Sequence, residues 1–201
     1  MARLALNKAS LSQQMRQLKA FERYLPSLDL KRRQLMAERE RERAAMERTR
    51  QASEELRKSV ATQIPMLANC EIDLSALVKV KEVRMGERNV VGLRLPRLEG
   101  VEVQARQYGY LTKPHWVDRL VDKLTRMLEL QVQLVVHERR ETLLDEAVRK
   151  VTQRVNLFEK ILIPRAKANI RQIRVYLGDA ERAAVVRSKI AKRKRAAEAI
   201  A

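Results

Sequence analysis

The stretch that decides the fold is "LDEAVRKVTQRVNLFEKIL", residues 144–162. Its apolar residues recur at alternating steps of four and three, which is the spacing of a helix face that packs along a partner helix. The members of this stripe are Leu144, Val148, Val151, Val155, Phe158 and Leu162. A repeat sustained over this length favours a coiled coil over a helix of a compact globular domain.

The stripe continues beyond a proline. An interior proline costs a helix about 3 kcal/mol, because it lacks an N–H and its ring clashes with a carbonyl. Pro164 nevertheless interrupts neither the helical composition nor the spacing, and Asn169 is the one polar break. The residues that keep the spacing are Ala166, Ile173, Tyr176 and Ala180. We expect one long helix, kinked at Pro164 and held by a partner along its flank.

A second long helical segment occupies the N-terminal third of the chain. Asn7 is a candidate N-cap, and Ser10 with Gln13 forms a second candidate, a capping box. Pro26 predicts either a kink or the end of a short first helix and a new start at Ser27. The apolar stripe that precedes it consists of Leu11, Met15, Leu18, Phe21 and Leu25.

The later part of this segment is rich in charge. Residues 38–50, "ERERERAAMERTR", read as an exposed helix face supported by pairs of opposite charge. Leu28, Leu35 and Met36 precede the run on an apolar stripe. Pro65 is expected to end the regular helix.

The middle of the chain has the composition of a β-hairpin. Residues 78–84 and 89–95 are β-branched and partly alternating, and residues 85–88, "MGER", are the expected turn. Pro96 is expected just past the end of the second strand. The candidates for the face that packs on the rest of the protein are Val78, Val80, Leu93 and Leu95.

Together these segments predict an all-α-dominated fold, a long antiparallel two-helix coiled coil with a small central β-hairpin. The expected regions are residues 1–67, an N-terminal coiled-coil helix; 68–111, a connection with the hairpin; and 112–201, a C-terminal coiled-coil helix. Thr112, followed by Pro114, is the expected start of the last helix. The two termini are expected at the same tip.

The composition points to an acidic partner. The 201-residue chain has 43 Lys and Arg against 25 Asp and Glu, a formal net charge of +18, and only 3% aromatic residues. This excess attracts nucleic acid, anionic lipid or acidic protein surfaces. Residues 187–195, "RSKIAKRKR", lack the interleaved aromatics that stack on bases, so a solvated or protein-facing helix end is the favoured interpretation over nucleic-acid binding.

No motif indicates catalysis, a cofactor or a metal. The chain has neither a phosphate-binding loop nor a dinucleotide fingerprint, and His115 and His137 are interpreted as structural or exposed residues. Cys70, the single cysteine, is interpreted as a small apolar filler. No apolar run is long enough to span a bilayer, so we expect a soluble, intracellular, non-enzymatic protein that reaches a membrane only through a partner.

One motif is specific enough to resemble a family. "RVNLFEKILIPR", residues 154–165, resembles the C-terminal signature of the D subunits of V-type (archaeal and bacterial A/V-type) ATPases. "NVVGLRLP", residues 89–96, is similar to the hairpin strand of that family, and residues 1–20 and 30–36 resemble its N-terminal segments. The matching signature positions are Arg154, Val155, Asn156, Glu159, Leu162, Ile163, Pro164 and Arg165. The matching hairpin positions are Asn89, Val91, Gly92, Leu93, Leu95 and Pro96.

The resemblance implies a rotor shaft. In such complexes the D subunit is the central stalk, an antiparallel coiled coil inside a ring of A and B subunits at the cytoplasmic face of the membrane. It binds the F subunit and sits on the socket-shaped C subunit (d-type) above the membrane ring, and it binds no cofactor. We expect the basic tip to enter the catalytic head and the F subunit to bind near the hairpin. The basic tip consists of Lys189, Lys192, Arg193, Lys194 and Arg195.

Two other functions fit a basic coiled coil. The stalk of a flagellar or type III export ATPase is a similar rod, but such chains usually lack a hairpin region like residues 89–96. A nucleic-acid-binding coiled coil would show a linear dependence of log affinity on log salt concentration.

Overall fold

The computed structural model describes residues 4–69, 77–105 and 116–198. Helices dominate it, and one two-stranded antiparallel sheet accompanies them, which confirms the predicted fold class. The elements in chain order are helix α1 (Lys8–Gln63), a 3₁₀ turn (Pro65–Asn69), strands β1 (Val78–Val90) and β2 (Leu93–Ala105), helix α2 (Trp116–Leu157), a π-helical segment (Phe158–Leu162) and helix α3 (Ile163–Glu198).

The chain forms two compact units. The first comprises Met1–Leu30 and Val151–Ala201, and the second comprises Lys31–Lys150. Helix α1 therefore contributes its beginning to the first unit and the rest to the second. Among the described residues, no helix combines the length and the apolar character that crossing a bilayer requires.

In the first unit the start of α1 lies antiparallel to the C-terminal helical segments. Residues further along α1 contact residues earlier in the C-terminal segments, because Lys8 pairs with Glu181, whereas Phe21 contacts Phe158. This is the head-to-tail arrangement that the apolar stripes predict. The buried residues contributed by the C-terminal segments are Val151, Val155, Ala166, Ile170 and Ile173.

The predicted stripe is wrong in its last part. Tyr176 and Ala180 are exposed, and Ile170 is buried instead, beside the expected polar break at Asn169. Ala166 and Ile173, which also follow the π-helical segment, keep their predicted burial, so the stripe departs from the prediction only near its end. The α1 partner helix begins only at Lys8, opposite Glu181, which leaves little of it to cover the end of α3.

In the second unit α1 and α2 are again antiparallel. Ser53 Oγ lies 3.2 Å from Met127 Sδ, and Arg43 Nε lies 2.6 Å from Glu141 Oε1. A cluster of buried residues joins the end of α1 to the start of α2 and the base of the hairpin. Its members are Ile64, Leu77, Trp116, Val117, Leu120 and Val121. The predicted helix start at Thr112 and Pro114, His115 and Cys70 lie outside the described residues.

The ends of α1 follow from its caps. The Ser10 N–H donates to Asn7 Oδ1 at 2.7 Å, which confirms Asn7 as the N-cap and shows that the second capping box is wrong, because Ser10 already lies inside the helix. The helix ends at Gln63, two residues before Pro65, as expected. Pro26 lies within one continuous helix, so no new helix starts at Ser27.

The hairpin is longer than predicted and turns elsewhere. Val90 pairs with Leu93, so the loop is Val91 and Gly92, with φ of 53° and 79°. Two positive φ values are the signature of a type I′ turn, whose twist matches the flanking strands. The expected turn at residues 85–88 is wrong, since these residues lie within β1, and Pro96 lies within β2 rather than beyond it.

The predicted packing face of the hairpin is only partly correct. Leu95 is fully buried, and Val78 and Leu93 are half-buried, but Val80 is 39% exposed. The register of the strands shifts only after Val80, so Val80 lies on the same face as Val78, but only Val78 packs on the buried cluster at the base of the hairpin.

Candidate functional site

The signature segment divides its side chains between the helix pair and the surface. Val155 is buried against the first unit's core and Ile163 is half-buried, so the apolar members of the motif face α1. The polar members and the proline are exposed or only partly covered, and they are Arg154, Asn156, Glu159, Pro164 and Arg165. The motif therefore combines a packing face with an outward face that is mainly polar but also exposes Leu157 and Ile161.

The π-helical segment explains how the helix accommodates Pro164. The N–H of Ile163 donates to the carbonyl of Phe158, a bond that closes a turn one residue wider than an α turn. In a regular helix the Pro164 ring would clash with the carbonyl of Lys160. The wider turn lies just before the proline, so the helical segment continues into α3. Such π turns are frequent at functional sites.

Contacts with α1 fix the signature segment on both sides of the proline. Phe158 packs on Phe21 with ring centroids 5.4 Å apart and planes at 80°, the edge-to-face geometry that aromatic rings favour. On the other side, Asn169 Nδ2 donates to Gln14 Oε1 at 3.3 Å. Lys167 Nζ lies 3.4 Å from Glu22 Oε1. The segment is thus held from several directions by one partner helix.

The basic tip is fully presented to solvent in the first unit. Every side chain from residue 179 to residue 195 is exposed, including Lys189, Lys192, Arg193, Lys194 and Arg195. Residues 182–195 contain no Asp or Glu, so the cations there have no acidic neighbour within the stretch.

Apolar side chains are interleaved with these cations. Val186 and Ile190 are each more than half exposed, and with Lys189, Lys192 and Arg193 they line a shallow depression of about 490 Å³. A surface of this kind suits a partner that offers both carboxylates and an apolar contact.

A buried polar layer lies in the helix pair of the second unit, where sequence reasoning expected only solvated charge. Glu42 is 5% exposed. His137 Nδ1 lies 2.6 Å and Arg140 Nη1 2.9 Å from the same oxygen of its carboxylate, Oε1. The expectation of a fully exposed charge run over residues 38–50 is therefore wrong at Glu42.

The signal that identifies Glu42 is a spacing of seven residues. Leu28, Leu35, Glu42, Thr49 and Leu56 follow one another at this interval, and a seven-residue repeat returns to the same helix face. All five are buried or half-buried. The apolar stripe thus passes through the charge run, with Glu42 in a position that an apolar residue would normally occupy.

Ion pairs flank this layer at the edge of the helix pair. Arg43 Nε donates to Glu141 Oε1 at 2.6 Å, and Arg39 Nη1 donates to Asp145 Oδ1 at 3.2 Å. The hydrogen bond from Arg43 to Glu141 raises the pKa of Arg43 above its usual value, and the charges of Glu141, Asp145 and Glu40 act in the same direction.

The hairpin tip is held by its own side chain and approached by α1. Asn89 Oδ1 accepts a hydrogen bond from the Gly92 N–H at 2.9 Å. A Cβ at Gly92 would lie 3.5 Å from Lys31 Nζ, which places the turn beside α1. The predicted hairpin residues belong to the second unit, whereas the signature segment and the basic tip belong to the first.

Neither a metal site nor a catalytic arrangement emerges from the parts of the chain that the structure describes. No cluster of three or more His, Cys, Asp or Glu side chains suited to a metal ion is present within residues 4–69, 77–105 and 116–198. His137 is engaged with Glu42 between two helices.

Comparison with known proteins identifies the family. A family model described as the D subunit of ATP synthase matches residues 10–193. The V-type ATP synthase D subunit of Borreliella burgdorferi is 35% identical over 192 residues, which cover 96% of this chain and 95% of that protein. Those of Chlamydia abortus and Chlamydia felis are 32% and 29% identical, covering 88% and 96% of this chain and 86% and 94% of theirs. The predicted resemblance to this family is confirmed, and the chain belongs to the family of ATP synthase D subunits.

Proposed function

We propose that this chain transmits torque between a catalytic head of A and B subunits and an ion-translocating ring in the membrane. Family membership makes it a non-catalytic, central-stalk subunit of a rotary V-type ATPase. It also disfavours the two alternatives, an export-ATPase stalk and a nucleic-acid-binding coiled coil.

The observation that carries the proposal is the antiparallel pairing of α1 in both units. In each unit α1 packs on the C-terminal half of the chain through a buried apolar seam, with ion pairs or hydrogen bonds across its edges. A helix pair locked by interdigitating side chains resists bending and twisting far better than a single helix. Torque transmission requires this stiffness.

The basic tip is proposed to enter the catalytic head. Its cations are exposed and lack acidic neighbours within residues 182–195, so their field is available to carboxylates of the surrounding subunits. The apolar side chains of Val186 and Ile190 would add contact area without adding charge. Acidic loops in the head are the expected counterpart.

The remaining partners are proposed from the family resemblance. The F subunit is expected to bind in the hairpin region and the C subunit to form the socket on the membrane ring, with the complex on the cytoplasmic face of the membrane. The hairpin tip offers Asn89, Val91 and Gly92 in a conformation fixed by the turn.

A charge-reversal experiment tests the role of the basic tip. Replacement of Lys192 and Arg193 by Glu in the assembled complex should reduce rotation torque and ATP-driven ion transport, because acidic loops would then be repelled. The matched control replaces Arg57 and Lys58, another pair of adjacent exposed cations on a helix, by Glu. Equal torque and turnover in the Lys192 and Arg193 variant and the wild type would contradict the proposal.

A shortened hairpin tests the binding site of the F subunit. Residues 86–97 would be replaced by an Asn-Gly turn, which keeps the base of the hairpin, where Val78 pairs with Ala105. Co-purification of the F subunit with the assembled complex should then fall, while the A and B subunits remain. Retention of the F subunit at the wild-type stoichiometry would refute the assignment.

A further inference from the structure

A buried carboxylate, that of Glu42, lies within the α1–α2 seam. The Glu42 side chain is 6% exposed, and the two cationic or hydrogen-donating side chains that meet it, those of His137 and Arg140, are 18% and 15% exposed. A carboxylate only accepts hydrogen bonds, so the 2.6 Å contact with His137 places the proton on Nδ1. Three polar side chains thus form one layer between the helices.

Around this layer α1 has few large apolar side chains that could fix its alignment against α2. Between Leu35 and Leu56 the only large apolar residues of α1 are Met36 and Met46, and Met36 is 41% exposed. Methionine is flexible and fits irregular spaces, so it discriminates weakly between neighbouring packing arrangements. Apolar packing alone therefore leaves the alignment of α1 against α2 poorly determined here.

A shift of α2 by seven residues keeps the same helix faces in contact. In one direction Glu42 would meet Leu144 and Ala147, and in the other it would meet Leu130 and Gln133. Leu130 and Leu144 are both buried. In either shifted alignment the carboxylate would be buried without a cation, which is among the costliest arrangements in a protein interior.

We propose that Glu42, His137 and Arg140 set the alignment of the two helices. They are positioning residues: they exclude shifted pairings rather than add stability. Buried ion pairs are often replaceable by apolar residues without loss of stability, whereas a single polar position in a coiled coil can fix its register. Consistent with this, Arg140 Nε is buried and has no hydrogen-bond partner among the described residues, a cost that a purely stabilising network would avoid.

Cysteine pairs report the alignment directly in the purified full-length chain with Cys70 replaced by Ser. Met127→Cys is combined with Ser53→Cys for the native pairing, because these two side chains touch. The two shifted pairings are detected by combining Met127→Cys with Met46→Cys or with Val60→Cys, which lie seven residues to either side of Ser53. A seven-residue shift displaces a helix by about 10 Å, beyond the span of a short thiol crosslinker.

The test replaces the polar layer by apolar residues, as Glu42→Leu, His137→Leu and Arg140→Met. In the wild type we expect only the native pair to crosslink. In the apolar variant a shifted pair should crosslink at least about tenfold more than in the wild type, with helix content and melting temperature retained. Crosslinking of the native pair alone in the folded apolar variant would overturn the proposal.

A second variant covers the case in which the apolar replacement does not fold. Glu42→Gln keeps the shape of the side chain but removes the charge that shifted pairings would strand, so shifted crosslinks should appear at an intermediate level. If the Glu42→Gln variant forms only the native crosslink, the proposal is overturned. The matched control is the edge pair Arg43→Leu with Glu141→Leu, which should crosslink only in the native alignment because that pair is half-exposed.

The proposal on alignment is independent of the proposed torque transmission, and only its consequence rests on that function. If shifted chains assemble into the complex, ATP hydrolysis should lose its coupling to ion transport. Shifted crosslinks with fully retained coupling would support the alignment role and contradict the role in torque transmission.

Discussion

Phe158 meets Phe21 edge to face, with ring centroids 5.4 Å apart, at the residue where the α-helical hydrogen-bond pattern changes to the π pattern. The aromatic contact thus lies where the C-terminal helical segment is least regular. A wide turn and a proline weaken a helix, and a large side chain packed on α1 offsets that weakness locally.

The aromatic pair should be energetically coupled. We expect Phe158→Ala to lower the free energy of unfolding by about 2 kcal/mol, less than for a fully buried phenylalanine because the ring is half-buried. A double-mutant cycle with Phe21→Ala should give a coupling of about 1 kcal/mol. Urea unfolding followed by circular dichroism measures both, and additive effects of the two substitutions would rule out a specific ring contact.

The two helix prolines should respond differently to removal. Pro26 lies in α1 without a π turn, so Pro26→Ala should stabilise the chain by up to about 3 kcal/mol. Pro164 is already accommodated by the π-helical segment, so Pro164→Ala should gain about 1 kcal/mol or less. Urea titrations of the two single variants compare the gains, and a larger gain at Pro164 would mean that the π turn does not relieve the proline.

The hairpin turn should be improvable. Val91 is a β-branched residue at φ of 53°, a conformation that costs such residues about 1–2 kcal/mol and that asparagine tolerates better. Val91→Asn creates the preferred Asn-Gly turn and should raise hairpin protection in hydrogen exchange. Gly92→Ala should lower it, because alanine is unfavourable at φ of 79°, although its Cβ would meet Lys31 Nζ at an ordinary van der Waals distance. Equal protection in all three proteins would contradict the type I′ assignment.

Removal of the buried carboxylate should be costly. Glu42→Ala leaves Arg140 buried without its counter-charge, and we expect a loss of about 3–5 kcal/mol in unfolding free energy. Arg43→Ala, one residue away on the half-exposed edge, should have a small effect that disappears in high salt. Chemical denaturation at low and high salt separates the two, and comparable losses would show that Glu42 is not distinguished by burial.

The Arg43 pair should contribute no pH dependence near neutrality. Because the folded-state pKa of Arg43 is raised, its contribution is fully present below the unfolded pKa and is lost only as pH rises through the folded value, in strongly alkaline solution. Wild type and Arg43→Ala should therefore show parallel stability profiles between about pH 6 and pH 9. Diverging melting temperatures within this range would refute the expectation.

The sequence predicts the helix pairing well where the apolar spacing is regular. Leu144, Val148, Val151 and Val155 are all buried as expected, because a seven-residue repeat leaves a helix few ways to pack. Ala166 and Ile173, beyond the π-helical segment, are buried as expected as well, and the spacing misleads only at Tyr176 and Ala180. Tertiary contacts and the proline together select the π turn.

The sequence misplaces the hairpin turn for a different reason. Gly86 in "MGER" resembles a turn glycine, whereas the real turn uses Val91, which is a poor residue for positive φ. The extended pairing of the thirteen-residue strands, which runs from Val78 with Ala105 to Val90 with Leu93, outweighs this local cost. The intrinsic preference of single residues does not include the energy summed over many cross-strand pairs, so it does not predict the position of this turn.

The exposed end of α3 has a consequence for the chain outside its complex. From residue 179 to residue 195 no side chain is covered, so the backbone hydrogen bonds of that stretch are sheltered only by its own side chains. Its many lysines and arginines are cleavage points for trypsin. Digestion of the isolated chain should thus begin there. Resistance of this stretch to trypsin would then measure whether other subunits enclose it.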